Sequence, residues 1–287
     1  MENRPARVLA IHDLSGFGRC SLSVILPILS AMRVQVCAVP TAVLSSHTGG
    51  LGDVEIRDLT DFITPALRHY ERLALDFECV YTGFLGSPDQ IVSCLSAFSL
   101  WKKALKVVDP VMGDHGKPYR TMDAGMVGRM AELVKGADLI TPNLTESYLL
   151  LGKPYDFSPL PRGTAKSMLA RLCEMGPRCA VITGATLVEG GLCNLGYDRE
   201  RNSYWMVSCD YMPVSYPGTG DMFASVLVGG LLSGDSLPIA MARATGFLER
   251  TIKDTFSYSS DPRYGVQFER DIGALMGHGV LKEFTLL

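Results

Sequence analysis

Residues 215–232 read SYPGTGDMFASVLVGGLL, and this stretch sets the architecture of the chain. Gly218, Thr219 and Gly220 keep side chains small at a turn, and an almost wholly apolar helix is expected from Gly220 to Leu232. A helix that is apolar on every side must be covered on every side, so its N-terminus faces the interior or a closed cleft. The dipole and free N–H groups at that end make an anion site suited to a phosphoryl group in flight. Asp221 sits among those groups. It is either a cap on the helix's own N–H groups or a base aimed at a hydroxyl beside an incoming phosphate. On spacing alone the cap is the better reading, since Asp is a favoured capping residue.

Upstream of this helix, short β-branched runs alternate with segments of helical period, the pattern of a parallel sheet covered on both faces. Strands are expected at Arg7 to His12, Val34 to Pro40, Glu78 to Thr82, Ala104 to Asp109, Ala137 to Thr141 and Cys179 to Thr183. Helices are expected at Cys20 to Met32, Arg57 to Arg72, Pro88 to Lys103, Ala124 to Lys135, Thr145 to Leu151 and Ala165 to Met175, with a last one at Leu237 to Phe256. Gly190 to Asp198 and Asn202 to Cys209 alternate polar and apolar residues around a turn, as an antiparallel hairpin does. The expectation is a three-layer α/β/α fold, its central sheet mostly parallel with a small antiparallel edge, in one domain over residues 1–287.

The 287 residues are 47% hydrophobic and 20% charged, which excludes disorder and allows a full core. A net charge of −3, with no long run of like charge, suggests neither nucleic acid nor an anionic membrane as partner. No apolar run approaches the ~20 residues that span a bilayer, and the N-terminus lacks a long apolar signal segment. The eight cysteines include no Cys-x-x-Cys pair and lie mostly in apolar runs, so buried, reduced thiols in the cytoplasm are expected.

Ligands in such sheets bind beyond the carboxyl ends of the strands. Four strand ends carry suggestive groups: His12-Asp13, TAVLSSHTGGLGD from Thr41, VVDPVMGDHGKPY around Asp109, and ITPNLTES around Thr141. Each alone could be plain turn and cap chemistry; their coincidence at one sheet edge favours function. The segment DLSGFGRCS invites comparison with a dinucleotide fingerprint and fails it. Ser21 stands where the last small residue belongs, and no acidic residue follows between Asp13 and Asp53. A glycine-relaxed loop capping a helix is the better reading there. No P-loop and no His-Glu-x-x-His motif occurs.

Together these residues resemble the ribokinase superfamily, and within it the pyridoxal kinases. The wider signature is Gly218-Thr219-Gly220-Asp221 with Asn143-x-x-Glu146; the narrower ones are SSHTG at 45–49, TGFLGS at 82–87, DPVMGD at 109–114 and ITPN at 140–143. The resemblance implies a ribokinase-like fold and ATP-dependent phosphorylation of the hydroxymethyl group of pyridoxal, pyridoxine or pyridoxamine. It reverses the cap reading of Asp221, which becomes the base, with Gly218, Thr219 and Gly220 as the anion hole. It implies that Glu146, with Asn143, organises Mg²⁺ and its water, Asp109 being a further metal residue, and that Asp109, Thr141, Asn143 and Thr183 line the nucleotide region, Asp109 and Thr141 near a monovalent cation such as K⁺. Without it, Asn143-x-x-Glu146 reads as a capping box. Val111 to Arg120 would form a lid over ATP. The second substrate falls to Asp13, Ser15, Thr41, His47 and Phe84. Asp13 stands where many pyridoxal kinases have Ser, and could pair with a pyridinium nitrogen or an amine; Phe84 replaces a common Tyr and keeps only the stacking surface. A homodimer is implied as well. The runner-up is hydroxymethylpyrimidine kinase, a relative sharing Gly-Thr-Gly-Asp and DPVM. A sugar kinase ranks lower for want of an early β lid, and a non-catalytic nucleotide-binding regulator lower still because Asp221 is present.

Overall fold

The computed structural model describes residues 4–120, 122–277 and 281–287. Its elements run β1 (Arg7–Phe17), α1 (Leu22–Ala31), β2 (Gln35–Ser46), β3 (Ile56–Asp58), α2 (Thr60–Arg72), β4 (Cys79–Thr82), α3 (Pro88–Leu100) and β5 (Leu105–Val108). They continue β6 (Gly113–Asp114), β7 (Lys117–Pro118), α4 (Ala124–Lys135), β8 (Leu139–Ile140), α5 (Leu144–Leu150), α6 (Arg162–Glu174) and β9 (Cys179–Leu187). The chain closes with β10 (Gly191–Asp198), β11 (Ser203–Ser208), α7 (Thr219–Leu232), α8 (Leu237–Ser257) and β12 (Phe284–Leu286).

Ten strands form one sheet in the order β3-β2-β1-β4-β5-β8-β9-β10-β11-β12, and β6 pairs with β7 apart from it. Neighbours from β2 to β9 are parallel; β3 and the run β10 to β12 add antiparallel edges. Successive strand residues feed opposite cores, as a two-residue side-chain period demands. Leu9, Ile11, Val80, Val108, Ile140 and Ile182 pack toward α2 to α6. Val8, Ala10, Tyr81, Val107, Leu139 and Val181 pack toward α1, α7 and α8. The three-layer α/β/α arrangement is therefore as expected. Every residue of α7 from Asp221 to Gly230 is buried, between the sheet, α1 and α8.

Several boundaries differ from the sequence expectation. The DLSGFGRCS segment is not a capping loop. β1 runs on through Phe17 because β2 overruns equally, and the extension pairs Leu14 with Val43, Ser15 with Leu44 and Phe17 with Ser46. α1 starts at Leu22 with no side-chain cap. The helix expected from Arg57 starts at Thr60, since Ile56–Asp58 pair with β2. The antiparallel edge gains β12, whose three residues are too few to mark a strand by alternation. All eight cysteines are free, six of them buried. Among the described residues no helix is long and apolar enough to cross a membrane.

Burying α7 gives a measurable consequence. Leu227 is fully buried on it, so Leu227→Ala should cost ~2–5 kcal/mol through lost transfer energy and a cavity. Val188→Ala, on the exposed β9–β10 turn, should stay within ~0.5 kcal/mol. Denaturant midpoints at unchanged slope check both; equal midpoints would contradict the placement of α7.

Candidate active site

The parallel strands end at one edge of the sheet, and α7 starts there. Gly218 begins the helix in the left-handed region, at φ 78°. A side chain there would also collide, since a Cβ would fall 2.1 Å from the Arg19 carbonyl oxygen. This close approach brings the turn before α1 onto the first turn of α7. Arg19 and Ser21 both carry positive φ, 42° and 58°, a strain of ~1–3 kcal/mol each. Its effect is to turn the Ser21 N–H into the site, where it donates to Asp221 Oδ2 at 2.7 Å.

Asp221 is thus no helix cap: α7 has no side-chain cap, and the carboxylate points away from the helix's own N–H groups. Its other oxygen, Oδ1, lies 3.0 Å from His12 Nε2. His12 Nδ1 in turn lies 2.8 Å from Asp13 Oδ1, and Ser15 Oγ donates to Asp13 Oδ2 at 3.1 Å. Consecutive strand residues ordinarily face opposite sides, yet His12 and Asp13 meet. The β1–β2 register shifts between His12 and Leu14, and such a bulge re-aims side chains. Gly83 is required beside them: a Cβ there would fall 1.9 Å from His12 Cδ2. His12, Asp13 and Asp221 are all buried. Burial alone would lower the His12 pKa, but Asp221 and Asp13 overcome it and hold it up at about 10. Asp13 is likewise opposed by burial, and the His12 hydrogen bond brings its pKa below the usual carboxylate value.

Two more carboxylates, Asp109 and Glu146, lie buried beyond the ends of β5 and β8. Burial first, then the Asp221 charge, pushes the Asp109 pKa up to about 7. Burial and the Asp109 charge push Glu146 well above the usual range. Asn143 and Glu146 form a complete capping box on α5, so the capping reading is realised. Glu146 does more than cap, since its Oε1 also accepts from the Met112 N–H at 3.1 Å. The segment expected to form a lid contains the β6–β7 hairpin, held down by Asn143 Nδ2 on the Gly113 carbonyl at 2.8 Å and by the Gly116 N–H on Thr145 Oγ1 at 2.9 Å. Tyr81 and Thr82 each bury a hydroxyl with no partner among the described residues, and the Thr141 hydroxyl lies buried against Asp109. Two carboxylates and orphaned hydroxyls suit a hard cation that keeps waters and takes its remaining ligands from phosphates. Among the described residues no cluster of three or more His, Cys, Asp or Glu could hold a metal by itself.

The other expected residues are placed as follows. Thr41 Oγ1 donates to the Phe84 carbonyl at 3.1 Å, and the Phe84 N–H lies 3.4 Å from His12 Nε2, so Thr41 and Phe84 join the Asp13 side. Thr183 bridges to Asn143 across the strand ends. His47 has both ring nitrogens engaged with backbone, Nε2 with the Arg263 carbonyl at 2.6 Å and Nδ1 with the Gly49 N–H at 2.9 Å. Asp13 Oδ1 faces His12 and Oδ2 accepts from Ser15, and each carboxylate oxygen keeps a lone pair for a further donor. Sequence reasoning left His12 and Ser21 without a role. His12 stood in a flagged strand-end pair, but its partner Asp221 is 209 residues away.

A family model described as phosphomethylpyrimidine kinase matches residues 26–263. Among solved structures, a Bacteroides thetaiotaomicron VPI-5482 protein described as a candidate phosphomethylpyrimidine kinase, in an orthorhombic form with pyridoxal, is 40% identical. That match covers 99% of this chain and 100% of the other at a TM-score of 0.94. The pyridoxal kinase from Lactobacillus plantarum is 32% identical, covering 95% and 96% at a TM-score of 0.85. The thiamine biosynthesis bifunctional protein of Geobacter sulfurreducens is 30% identical over 177 residues, 61% of this chain; the chain spans about a third of that protein, 35%.

The buried imidazolium links stability to pH. The folded protein keeps the His12 proton to about pH 10, whereas an unfolded chain releases it near 6.5. This contribution is fully present below pH 6.5 and is lost as pH rises toward 10. The stability advantage of wild type over His12→Gln should be largest at or below pH 6.5 and shrink steadily to pH 10. Urea unfolding across that range checks it; a constant difference would mean that His12 is neutral.

Proposed function

The chain belongs to the phosphomethylpyrimidine kinase family, and from that premise we propose that it transfers the γ-phosphoryl group of ATP to the hydroxymethyl group of pyridoxal, pyridoxine or pyridoxamine. That it is a kinase of the vitamin B6 or thiamin-precursor type follows from the family and its neighbours. The observation that supports phosphoryl transfer to a hydroxyl at this site is the carriage of Asp221. Its carboxylate is lifted off the α7 N–H groups, which leaves those groups for a phosphoryl oxygen and the carboxylate for a hydroxyl.

In this reading the hydroxymethyl oxygen bonds to the γ-phosphorus while the bond to the β–γ bridging oxygen breaks. ADP leaves with that electron pair, and the hydroxyl proton passes to Asp221. The N–H groups of Thr219, Gly220 and Asp221, which have no partner four residues back, accept the charge on the transferring group. Asp109 and Glu146 would hold Mg²⁺, whose chemistry is to neutralise charge on the phosphates; Thr141, with Asp109, suits a monovalent cation. Asn143 and Thr183 line the nucleotide side, and the β6–β7 hairpin excludes water that would compete as acceptor. Ser15, Thr41, Phe84 and, from the neighbouring loop, His47 shape the alcohol side, with Phe84 offering a ring to stack on. A pyridine acceptor is supported by the pyridoxal form of the Bacteroides protein and by TGFLGS and DPVMGD in the sequence. The second reading, a hydroxymethylpyrimidine acceptor, is favoured by the description of the matched family.

ATP consumption with the three B6 vitamers and with hydroxymethylpyrimidine separates the two readings. Turnover confined to the pyrimidine would overturn the first. Asp221→Asn should keep fold and nucleotide affinity and lower kcat by ~10²-fold or more; near-normal turnover would remove it as the base. Glu146→Gln retains the cap acceptor but loses charge, so it should raise the Mg²⁺ concentration needed for half-maximal rate. An unchanged metal titration would leave Glu146 with capping alone.

A further inference from the structure

An aspartate in the first turn of a helix has an obvious local partner, the free N–H groups of that same turn. For Asp221 that choice would be doubly harmful to the transfer proposed above. It would withdraw the base and fill the anion site with a carboxylate. Two groups from outside the helix prevent it: the strained Ser21 N–H holds Oδ2, and His12 holds Oδ1. His12 is itself fixed. Asp13 Oδ1 lies 2.8 Å from its other nitrogen, Gly83 leaves no space beside its ring, and Tyr81 packs edge-on with ring centres 6.4 Å apart. The charged groups facing it are Asp13 from β1, Asp221 from α7 and, less directly, Asp109 after β5.

We infer that His12 is a positioning residue, which with Ser21 pulls the Asp221 carboxylate away from the N–H groups of its own helix and so keeps base and anion site open together. The inference rests on the proposed phosphoryl transfer. No proton travels through His12. It keeps both ring protons while the hydroxyl proton goes to Asp221, so the buried group passes from two negative charges and one positive to one of each. Asp13 serves as the anchor of His12, which explains a carboxylate at a position otherwise suited to a serine.

The test uses wild type, His12→Gln, His12→Phe, Asp13→Asn and the double variant His12→Phe/Asp13→Asn, each followed by steady-state kinetics with MgATP and pyridoxal and by thermal unfolding. His12→Phe leaves Asp13 buried with only neutral partners, the Ser15 and Ser21 side chains, and should lose stability, which Asp13→Asn in the same chain should largely restore. The expected kcat of the double variant nonetheless stays ~10²-fold below that of Asp13→Asn, with both KM values within ~3-fold. His12→Gln, which can still donate to Asp221, should fall only ~10-fold. A double variant that regains both melting temperature and kcat would show that His12 is merely structural. Should wild type turn over none of these alcohols, the functional reading fails, and the positioning inference is judged separately on the crystal structure of His12→Phe. An Asp221 carboxylate swung onto the Thr219 and Gly220 N–H groups upholds it, and an unmoved carboxylate overturns it.

Discussion

The organisation of this molecule depends on the need to sheathe α7. Its ten consecutive buried residues admit no solvent-facing side, so sheet, α1 and α8 must surround it. A helix enclosed in that way can expose only its ends. Because α7 runs back from the edge where the parallel strands finish, its N-terminal dipole is delivered to the place where β1, β4, β5, β8 and β9 release their chains. The loops need only supply groups that face this fixed positive end. The contact of Gly218 with the Arg19 carbonyl then locks α7 to the turn before α1, so that core packing and site assembly are one event.

Around that end the protein gathers more negative charge than one helix dipole can balance. Asp13, Asp109, Glu146 and Asp221 are all buried, and isolated buried carboxylates are expensive. The protein answers them in two different ways. Beside Asp13 and Asp221 it supplies a positive group, His12, placed between the two carboxylates. Beside Asp109 and Glu146 it supplies only backbone N–H groups and hydroxyls, and the proton affinities of both rise accordingly. A cation arriving with nucleotide phosphates would be drawn to the second pair, not the first, because only there is charge left uncompensated.

Much of this was legible in the sequence, and the exceptions have local causes. The alternation of apolar runs and helical periods gave the layers, because each run is buried on both faces and nothing else fits that pattern. Ser15 and Gly16 read as turn chemistry, and only the equal overrun of β2, remote in sequence, makes strand of them. The Asn143-x-x-Glu146 spacing offered capping and ligation as alternatives; the structure shows the cap together with an added bond to Met112, so the two uses are compatible. Asp221 could not be settled from its neighbours, since what draws it off the helix is a strand residue 209 positions earlier. His12 was hidden for the same reason, and because a lone histidine after a strand carries no pattern.

The β6–β7 hairpin is tied to α5 by the same residues that start that helix. Asn143 grips Gly113 and caps α5; Glu146 holds Met112 and closes the box; Thr145 between them receives Gly116. Tyr155 and Phe157 leave no room above Gly116. The flap and the first turn of the helix therefore behave as one latch. Lifting the hairpin would strip the Met112 donor from Glu146 and the Gly113 acceptor from Asn143 together. The backbone amides of Met112 and Gly116 then belong to one cooperative unit and become exposed to solvent together.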